Sequence, residues 1–333
     1  MIEQFRRLSL SEVCQRLCRK QKTLIIYHVR SDADAIGSAF ALRELLRAMD
    51  IPAICACGDE IPERLRFLTD GVQGSVLIED DMDLDHERVI SVDSASPSQL
   101  GELYDKLHRY IDLMIDHHAM GTVYADNYID PDASATGEII FEIAKELVRM
   151  GAIPEIPHRV INATYAAICS DTGCFRYANA TPRTFRCVAE IIEAGADKAD
   201  INHRLFEAKT VKQIRAEGEA ARRMQVYDGG RIASVTFPYS SKFSMSLSDE
   251  NLETIIDIPR SLSGVEVAFS VRQPEDKGFF RVSMRSSTDF DVAEVCASFG
   301  GGGHKKAAGC SLNASNIREA EEMVLSALRE RMK

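Results

Sequence analysis

The chain has 333 residues, 45% of them hydrophobic and 27% charged, with a formal net charge of −11. That length exceeds one ordinary core and predicts two domains, and the composition is that of a globular protein. The acidic balance argues against tracking along long nucleic acid, where a basic stripe supplies most of the affinity; a small anionic ligand stays compatible, because a local cation cluster reverses the field in one cleft.

Nine cysteines are scattered along the chain. Cys14 and Cys18 are one helical turn apart, and Cys55 and Cys57 flank one alanine. No paired Cys-x-x-Cys zinc pattern occurs, so free thiols in a reducing compartment are expected. Residues 1–22 carry both signs of charge, with Phe5, Leu8, Val13 and Leu17 at roughly helical spacing, which is not the pattern of a secretory leader. No apolar run reaches the ~18–20 residues of a membrane span. The expected location is the cytosol.

Residues 23–29 form a short apolar, β-branched run and predict a buried strand. Asp32 and Asp34 follow in a loop. Ile36, Phe40, Leu42, Leu45, Leu46 and Met49 then predict a helix, closed by Pro52, and residues 51–57 start the next strand. Residues 88–92 predict a strand ending at Asp93, and residues 110–115 another ending at Asp116. Residues 139–150 predict a helix with Glu138 in its first turn, and residues 160–170 a buried helix ending at Asp171. Strands alternating with helices predict an α/β fold with a doubly wound, mainly parallel sheet. Ligands in such sheets sit beyond the carboxyl ends of the strands.

Residues 181–227 read as helices rich in Ala, Glu and Arg. After Gly229 and Gly230 the pattern changes: residues 232–237, 265–271 and 279–284 alternate like strands, with a turn at Glu275-Asp276-Lys277-Gly278. Residues 287–299 read as loop then helix, and residues 316–332 as a final helix. The expected layout is a catalytic domain over 1–185, a helical connector over 186–228 and a smaller α+β domain over 229–333.

Four segments carry acidic and imidazole groups: His28 with Asp32 and Asp34, then Asp93, then Asp116-His117-His118, and finally Asp171 before Thr172 and Gly173. Three fall at the carboxyl ends of strands and the fourth at a helix end, so folding gathers them at one sheet edge. Two carboxylates ~4 Å apart repel by about 1 kcal/mol in water and about 4 at a near-surface dielectric. A converging set therefore needs protons or cations. Imidazoles suit a borderline ion such as Mn²⁺ and carboxylates harder ones; paired metals activate water and neutralise a phosphoryl transition state. Taken singly, each Asp reads as a helix cap or turn residue, Asp32 and Asp34 for the helix near Ile36. Four such segments on one edge do not.

The run Gly300-Gly301-Gly302-Gly303-His304-Lys305-Lys306-Ala307-Ala308-Gly309 is the second signal. Successive backbone N–H groups form an anion nest, and a helix starting there would add partial positive charge. The expectation is a phosphate cradle, with a hairpin loop as the ordinary alternative. Arg285, at the end of a strand, is a candidate bidentate phosphate partner, against a solvated edge residue.

Together these motifs resemble the DHH/DHHA1 phosphoesterase superfamily: Asp116-His117-His118 as the named triplet, His28…Asp32-x-Asp34, Asp93, Asp171, and Gly301-Gly302-Gly303-His304 as the signature of the accessory domain. The resemblance covers nearly the whole chain. The stretch from Asp171 to Pro182 is similar to a segment of the nanoRNase (oligoribonuclease) and pAp-phosphatase branch. Two departures are Ser31-Asp32-Ala33-Asp34, where Pro-Asp-Gly-Asp is common, and Gly121, where Asn is frequent.

The resemblance implies that His28 and Asp32 hold one metal, that Asp34, His117 and Asp171 hold the other, and that Asp93 bridges them. It implies that His118 donates a hydrogen bond to the substrate and that Asp116 orients the neighbouring histidine. Arg285, Gly301, Gly302, Gly303 and His304 would hold the nucleotide, which leaves His118, Asp93 and Arg285 as the catalytic set. Two divalent ions are implied, Mn²⁺ first and Mg²⁺ or Co²⁺ as alternatives. The implied activity is hydrolysis of short RNA (nanoRNA, dinucleotides) to mononucleotides and of 3′-phosphoadenosine 5′-phosphate to AMP. The enzymatic alternative is a phosphodiesterase for cyclic dinucleotides or their linear products pApA and pGpG. The alternative of another class is a nucleotide-sensing binding protein without turnover. A homodimer is left open, and no membrane partner is expected.

Overall fold

The computed structural model describes residues 5–69, 75–77 and 86–332, without the side chains of 75–77 and 304. It divides into two compact units, Met1–Ala208 and Lys209–Lys333.

The first unit opens with helix α1 (Leu10–Leu17), started by a capping box in which Ser9 and Glu12 bond each other's backbone N–H. Strand β1 (Thr23–Ile26) is followed by α2 (Ala33–Ala48), β2 (Ala53–Cys57), β3 (Ser75–Leu77), β4 (Arg88–Val92), α3 (Pro97–Leu100), α4 (Glu102–Leu107), β5 (Ile111–Asp116) and β6 (Asn127–Ile129). Helices α5 (Thr136–Arg149), α6 (His158–Asp171), α7 (Pro182–Glu193) and α8 (Lys198–Asn202) complete it. The strands form one parallel sheet in the order β3-β2-β1-β4-β5-β6. The apolar runs of β1 and β4 are buried along their whole length because both sheet faces are covered. On one face Ile25, Ile90 and Ile115 pack with Phe40 and Leu42 of α2 and Ile139 and Ile143 of α5. On the other, Leu24, Val89 and Met114 pack with Leu100, Leu103 and Leu107. The strand order reverses between β1 and β4, so their carboxyl ends flank the crevice where doubly wound sheets bind ligands. The expected α/β architecture is the one observed.

The second unit holds α9 (Val211–Arg223), β7 (Gln225–Tyr227), β8 (Ile232–Phe237), α10 (Tyr239–Ser244), α11 (Asp257–Arg260), β9 (Val267–Arg272), β10 (Phe279–Ser286), α12 (Val292–Ala297), β11 (Gly302–His304), β12 (Ala307–Asn313) and α13 (Ile317–Arg331). Its sheet runs β11-β12-β10-β9-β8-β7, with β8 and β9 parallel and the other neighbours antiparallel. One face packs Phe269, Val282 and Met284 against α12 and α13 through Val295, Val324 and Leu328. On the other, Val235 and Phe237 pack against Ala216 and Ala220 of α9.

Residues 186–228 are divided between the units. Cys187, Val188, Ile191 and Ile201 lie in the core of the first, whereas Ala216 and Ala220 lie in that of the second.

The glycine run corrects one expectation. No helix starts at Lys305; Gly302–His304 is an edge strand paired with residues 307–309, and Lys305 and Lys306 form the turn. The backbones approach too closely for side chains at two positions. A Cβ on Gly301 would lie 2.2 Å from the Gly309 carbonyl oxygen, and one on Gly303, whose φ is +142°, would lie 2.6 Å from that of Ala307. Gly302 has open space at that point.

Candidate active site

The loop after β1 carries His28, Ser31 and Asp32. Asp32 caps α2, its Oδ1 accepting from the N–H groups of Asp34 and Ala35, both at 3.0 Å. Asp34 in the first turn is fully buried. Asp93 directly follows β4 in the left-handed region, with φ +53°, a conformation that Asp tolerates better than most residues. Asp116 closes β5 and Asp171 closes α6.

Folding brings these groups together. His28, Asp32 and Asp93 form one set; Asp34, His117 and Asp171 form a second; Asp93, His117 and His118 form a third. Within each set the donor atoms lie within 4.8 Å of one another. Asp93 presents Oδ2 to His28 Nε2 at 3.5 Å and Oδ1 to His117 Nε2 at 3.8 Å. His117 Nε2 is also 3.7 Å from Asp34 Oδ2 and 3.3 Å from Asp171 Oδ2.

The histidines are held from behind. His28 Nδ1 donates to the Val29 carbonyl at 2.9 Å and His117 Nδ1 to that of Ala133 at 3.3 Å. Both rings therefore turn Nε2 towards the carboxylates, as metal-binding histidines do. His118 differs: its Nδ1 bonds Asp116 Oδ1 at 2.7 Å. The same oxygen accepts from the backbone N–H groups of His117 and His118 at 2.7 and 3.2 Å.

The electrostatics call for a cation. Burial, then the charges of Asp93 and Asp32, hold the Asp34 carboxyl well above its ordinary pKa. Burial, then Asp34, Asp32 and Asp93, do the same for Asp171. Burial disfavours a charged His28, yet bonds to Asp32 and Asp93 outweigh it and raise its pKa to about 11. Burial opposes ionisation of Asp93, but His28, His117 and His118 prevail and lower it to about 2. A positive charge would relieve this cluster of buried carboxylates, and the oxygen-and-imidazole donor set suits a divalent ion.

Three supporting residues escaped the sequence reading. Thr136 donates from its hydroxyl to Asp93 Oδ1 at 2.8 Å and from its backbone to Asp34 Oδ2 at 2.8 Å. The Gly137 N–H reaches Asp34 Oδ1 at 2.9 Å, as does the Ser38 hydroxyl. A Cβ on Gly137 would lie 2.4 Å from the Ala167 Cβ, so α5 and α6 meet only because it is glycine. The signal was available: Thr136-Gly137 opens a helix, and helix N-termini bind anions.

In the second unit, Arg285 lies on β10 opposite Ala307 of β12, and Gly309 faces Ser283 two residues along, so the arginine and the glycine hairpin share one sheet. Arg285 Nη1 donates to the Met284 carbonyl at 2.9 Å. The His304 side chain lies outside the described part.

Known proteins match this architecture. The DHH family, N-terminal domain, matches residues 22–168 and the DHHA1 domain matches residues 238–330. The chain belongs to the DHH/DHHA1 phosphoesterase family, whose members are hydrolases. It is 27% identical to the bifunctional oligoribonuclease and PAP phosphatase NrnA of Thermus thermophilus, over 92% of this chain and 89% of that protein. It is 25% identical to the cyclic-di-AMP phosphodiesterase PdeA of Listeria monocytogenes, over 96% of this chain but 49% of that protein. The fold superposes on an exopolyphosphatase-related protein from Bacteroides fragilis with a TM-score of 0.88 at 23% identity, covering 96% of this chain and 95% of that one.

Proposed function

We propose that this phosphoesterase uses two metal ions to hydrolyse short RNA to mononucleotides and 3′-phosphoadenosine 5′-phosphate to AMP. The observation that carries the two-ion reading is Asp93, which turns one carboxylate oxygen to each of two histidines. His28 and Asp32 would hold one ion and Asp34, His117 and Asp171 the other, with Asp93 shared between them. Ions bound there supply the charge that polarises a phosphoryl group and activates water. Mn²⁺ suits the mixed imidazole and carboxylate donors.

The chain's own groups account for the rest. Asp116 fixes the His118 ring, and His118 hydrogen-bonds the phosphate or the leaving oxygen. Arg285 and the backbone of the glycine hairpin hold the nucleotide's phosphate, a planar fork matching its oxygens. The extent of the likeness to the Thermus oligoribonuclease, along most of both chains, favours short RNA and PAP as substrates. The nine cysteines are free, which suits work in the reducing cytosol.

The test is a panel under Mn²⁺: RNA of two to five nucleotides, PAP, pApA, pGpG and cyclic di-AMP. Expected are mononucleotides from the RNAs and AMP from PAP, all abolished by chelator. Faster turnover of cyclic di-AMP or pGpG than of any RNA would assign the enzyme to cyclic-dinucleotide metabolism. Tight nucleotide binding with no turnover under any divalent ion would make it a sensor.

A further inference from the structure

On the α9-facing side of the second sheet, the strands near the edge keep a polar, accessible surface. Phe279 and Arg281 of β10 and Ser311 and Asn313 of β12 are exposed, and Ser283, Arg285 and Gly309 half-buried. Helix α10 stands beside this surface. Its Lys242 Nζ bonds Asp249 Oδ1, while Arg281 Nη1 lies 3.2 Å from Asp249 Oδ2, so one carboxylate ties the helix to β10 and serves two cations. Lys242 also reaches the Pro274 carbonyl in the connection between β9 and β10.

The same helix exposes aromatic surface. Phe243 is 72% exposed and Phe279 37%. The Tyr239 and Phe243 rings, one helical turn apart, have centroids 5.9 Å apart and planes inclined by 33°. The polar anchors of the helix include Ser241, which accepts from Arg223, and Lys242, which bonds Asp249 and the Pro274 carbonyl, and neither uses the Phe243 ring. An exposed arginine, Arg281, beside open aromatic rings matches the general chemistry of single-strand recognition, in which bases stack on rings and phosphates meet cations. The positive charge on this surface comes from Arg281 and Arg285 of β10, with the Asp249 carboxylate beside the first.

The geometry points to a base-stacking platform for short single-stranded RNA, made by Phe243 and Tyr239 of α10 with phosphate contacts from Arg281. Arg281 and Arg285 stand on the same face of β10 four residues apart, about 13 Å along the strand. A chain of several nucleotides can span both, whereas the two phosphates of PAP, held on a single ribose, lie closer together than that. The platform thus reads nucleotides that PAP lacks. This rests on the proposed short-RNA activity and extends it to what distinguishes one RNA from another.

The experiment uses the full chain and two readouts. Steady-state kinetics compare a pentanucleotide with PAP. Separately, with the metals chelated, the fluorescence of a 2-aminopurine pentamer reports base stacking directly. Phe243→Ala should raise KM for the pentamer about tenfold, the loss of one stacked base, with kcat unchanged and KM for PAP within twofold. Phe243→Tyr should restore the wild-type values, which a folding defect would not allow. Quenching of the probe should vanish in Phe243→Ala and weaken in Arg281→Ala. An unchanged pentamer KM, or an equal change for PAP, overturns the platform. If the wild type cleaves no RNA yet quenches the probe through Phe243, the proposed activity falls and the platform stands; cleavage without Phe243-dependent quenching sinks the platform alone.

Discussion

The Nδ1 atom of His118 lies 2.7 Å from Asp116 Oδ1, while the other Asp116 oxygen is buried with no hydrogen-bond partner among the described residues. One oxygen of a carboxylate thus receives an imidazole and two backbone N–H groups. This arrangement fixes the ring of His118 and its tautomer, and it keeps His118 Nδ1 from an ion.

Asp116→Asn preserves the shape of that acceptor and removes its charge. The expected outcome is a fall in kcat of about 10–100-fold, with KM and fold retained. The fold should survive because the accepting oxygen is kept, although the new amide N–H groups enter a buried spot and cost about 1–3 kcal/mol. Kinetics with circular dichroism check it; a kcat within twofold of wild type would show that His118 needs no orientation from Asp116.

Thr136→Val removes the hydroxyl that donates to Asp93 and leaves the backbone N–H that serves Asp34. Metal affinity should fall about 10–100-fold, and added Mn²⁺ should restore most of the activity. Calorimetric titration with Mn²⁺ measures the first outcome and an activity titration the second. Activity that stays low at saturating metal would contradict a purely positioning role.

Metal should also stabilise the fold, since an ion that binds only the folded state adds about 2.7 kcal/mol at a hundredfold excess over its Kd. For a unit of about 200 residues this is a rise in Tm of very roughly 5–10 °C. Differential scanning calorimetry of chelated and Mn²⁺-loaded protein reads it. Asp93→Ala, which removes the shared carboxylate, should lose most of the rise, independently of any activity.

The glycine hairpin offers a contrast within three residues. Gly303→Ala forces a Cβ against the Ala307 carbonyl at a φ of +142° and should destabilise the second unit by about 1–3 kcal/mol. Gly302→Ala meets open space and should leave Tm within a degree or two. If the hairpin backbone holds phosphate, Gly302→Ala should instead raise KM. Paired melts and kinetics separate the two effects, and equal melting losses would refute the packing argument.

The gathering of the site's residues was legible because they follow strongly apolar segments. Asp93 ends the run 88–92 and Asp116 the run 110–115, so strand periodicity alone assigned them to one edge. What sequence hid was backbone function. The Thr136 and Gly137 N–H groups have no residue signature beyond a helix start, and the donor set around Asp34 depends on how closely α5 approaches α2. The hairpin stood only as the alternative reading for a related reason: Lys305-Lys306 carries no glycine or asparagine to mark a tight turn, and four glycines suit a cradle as well as a loop. Helix α9 is amphipathic only through Ala216 and Ala220, which are too small to announce which core they join.

The anchoring of Asp34 has a kinetic consequence. Its carboxylate accepts from the Thr136 and Gly137 N–H groups and the Ser38 hydroxyl, all within the protein. Hydrogen bonds of the chain itself thus fix the orientation of this carboxylate, so capture of an ion requires desolvation of the cation and release of protons from the cluster without reorienting Asp34. Protein stripped of metal and then remixed with it should regain turnover in a single fast phase, its rate proportional to free ion. The enzyme's output would then follow fluctuations in cellular divalent supply almost without lag.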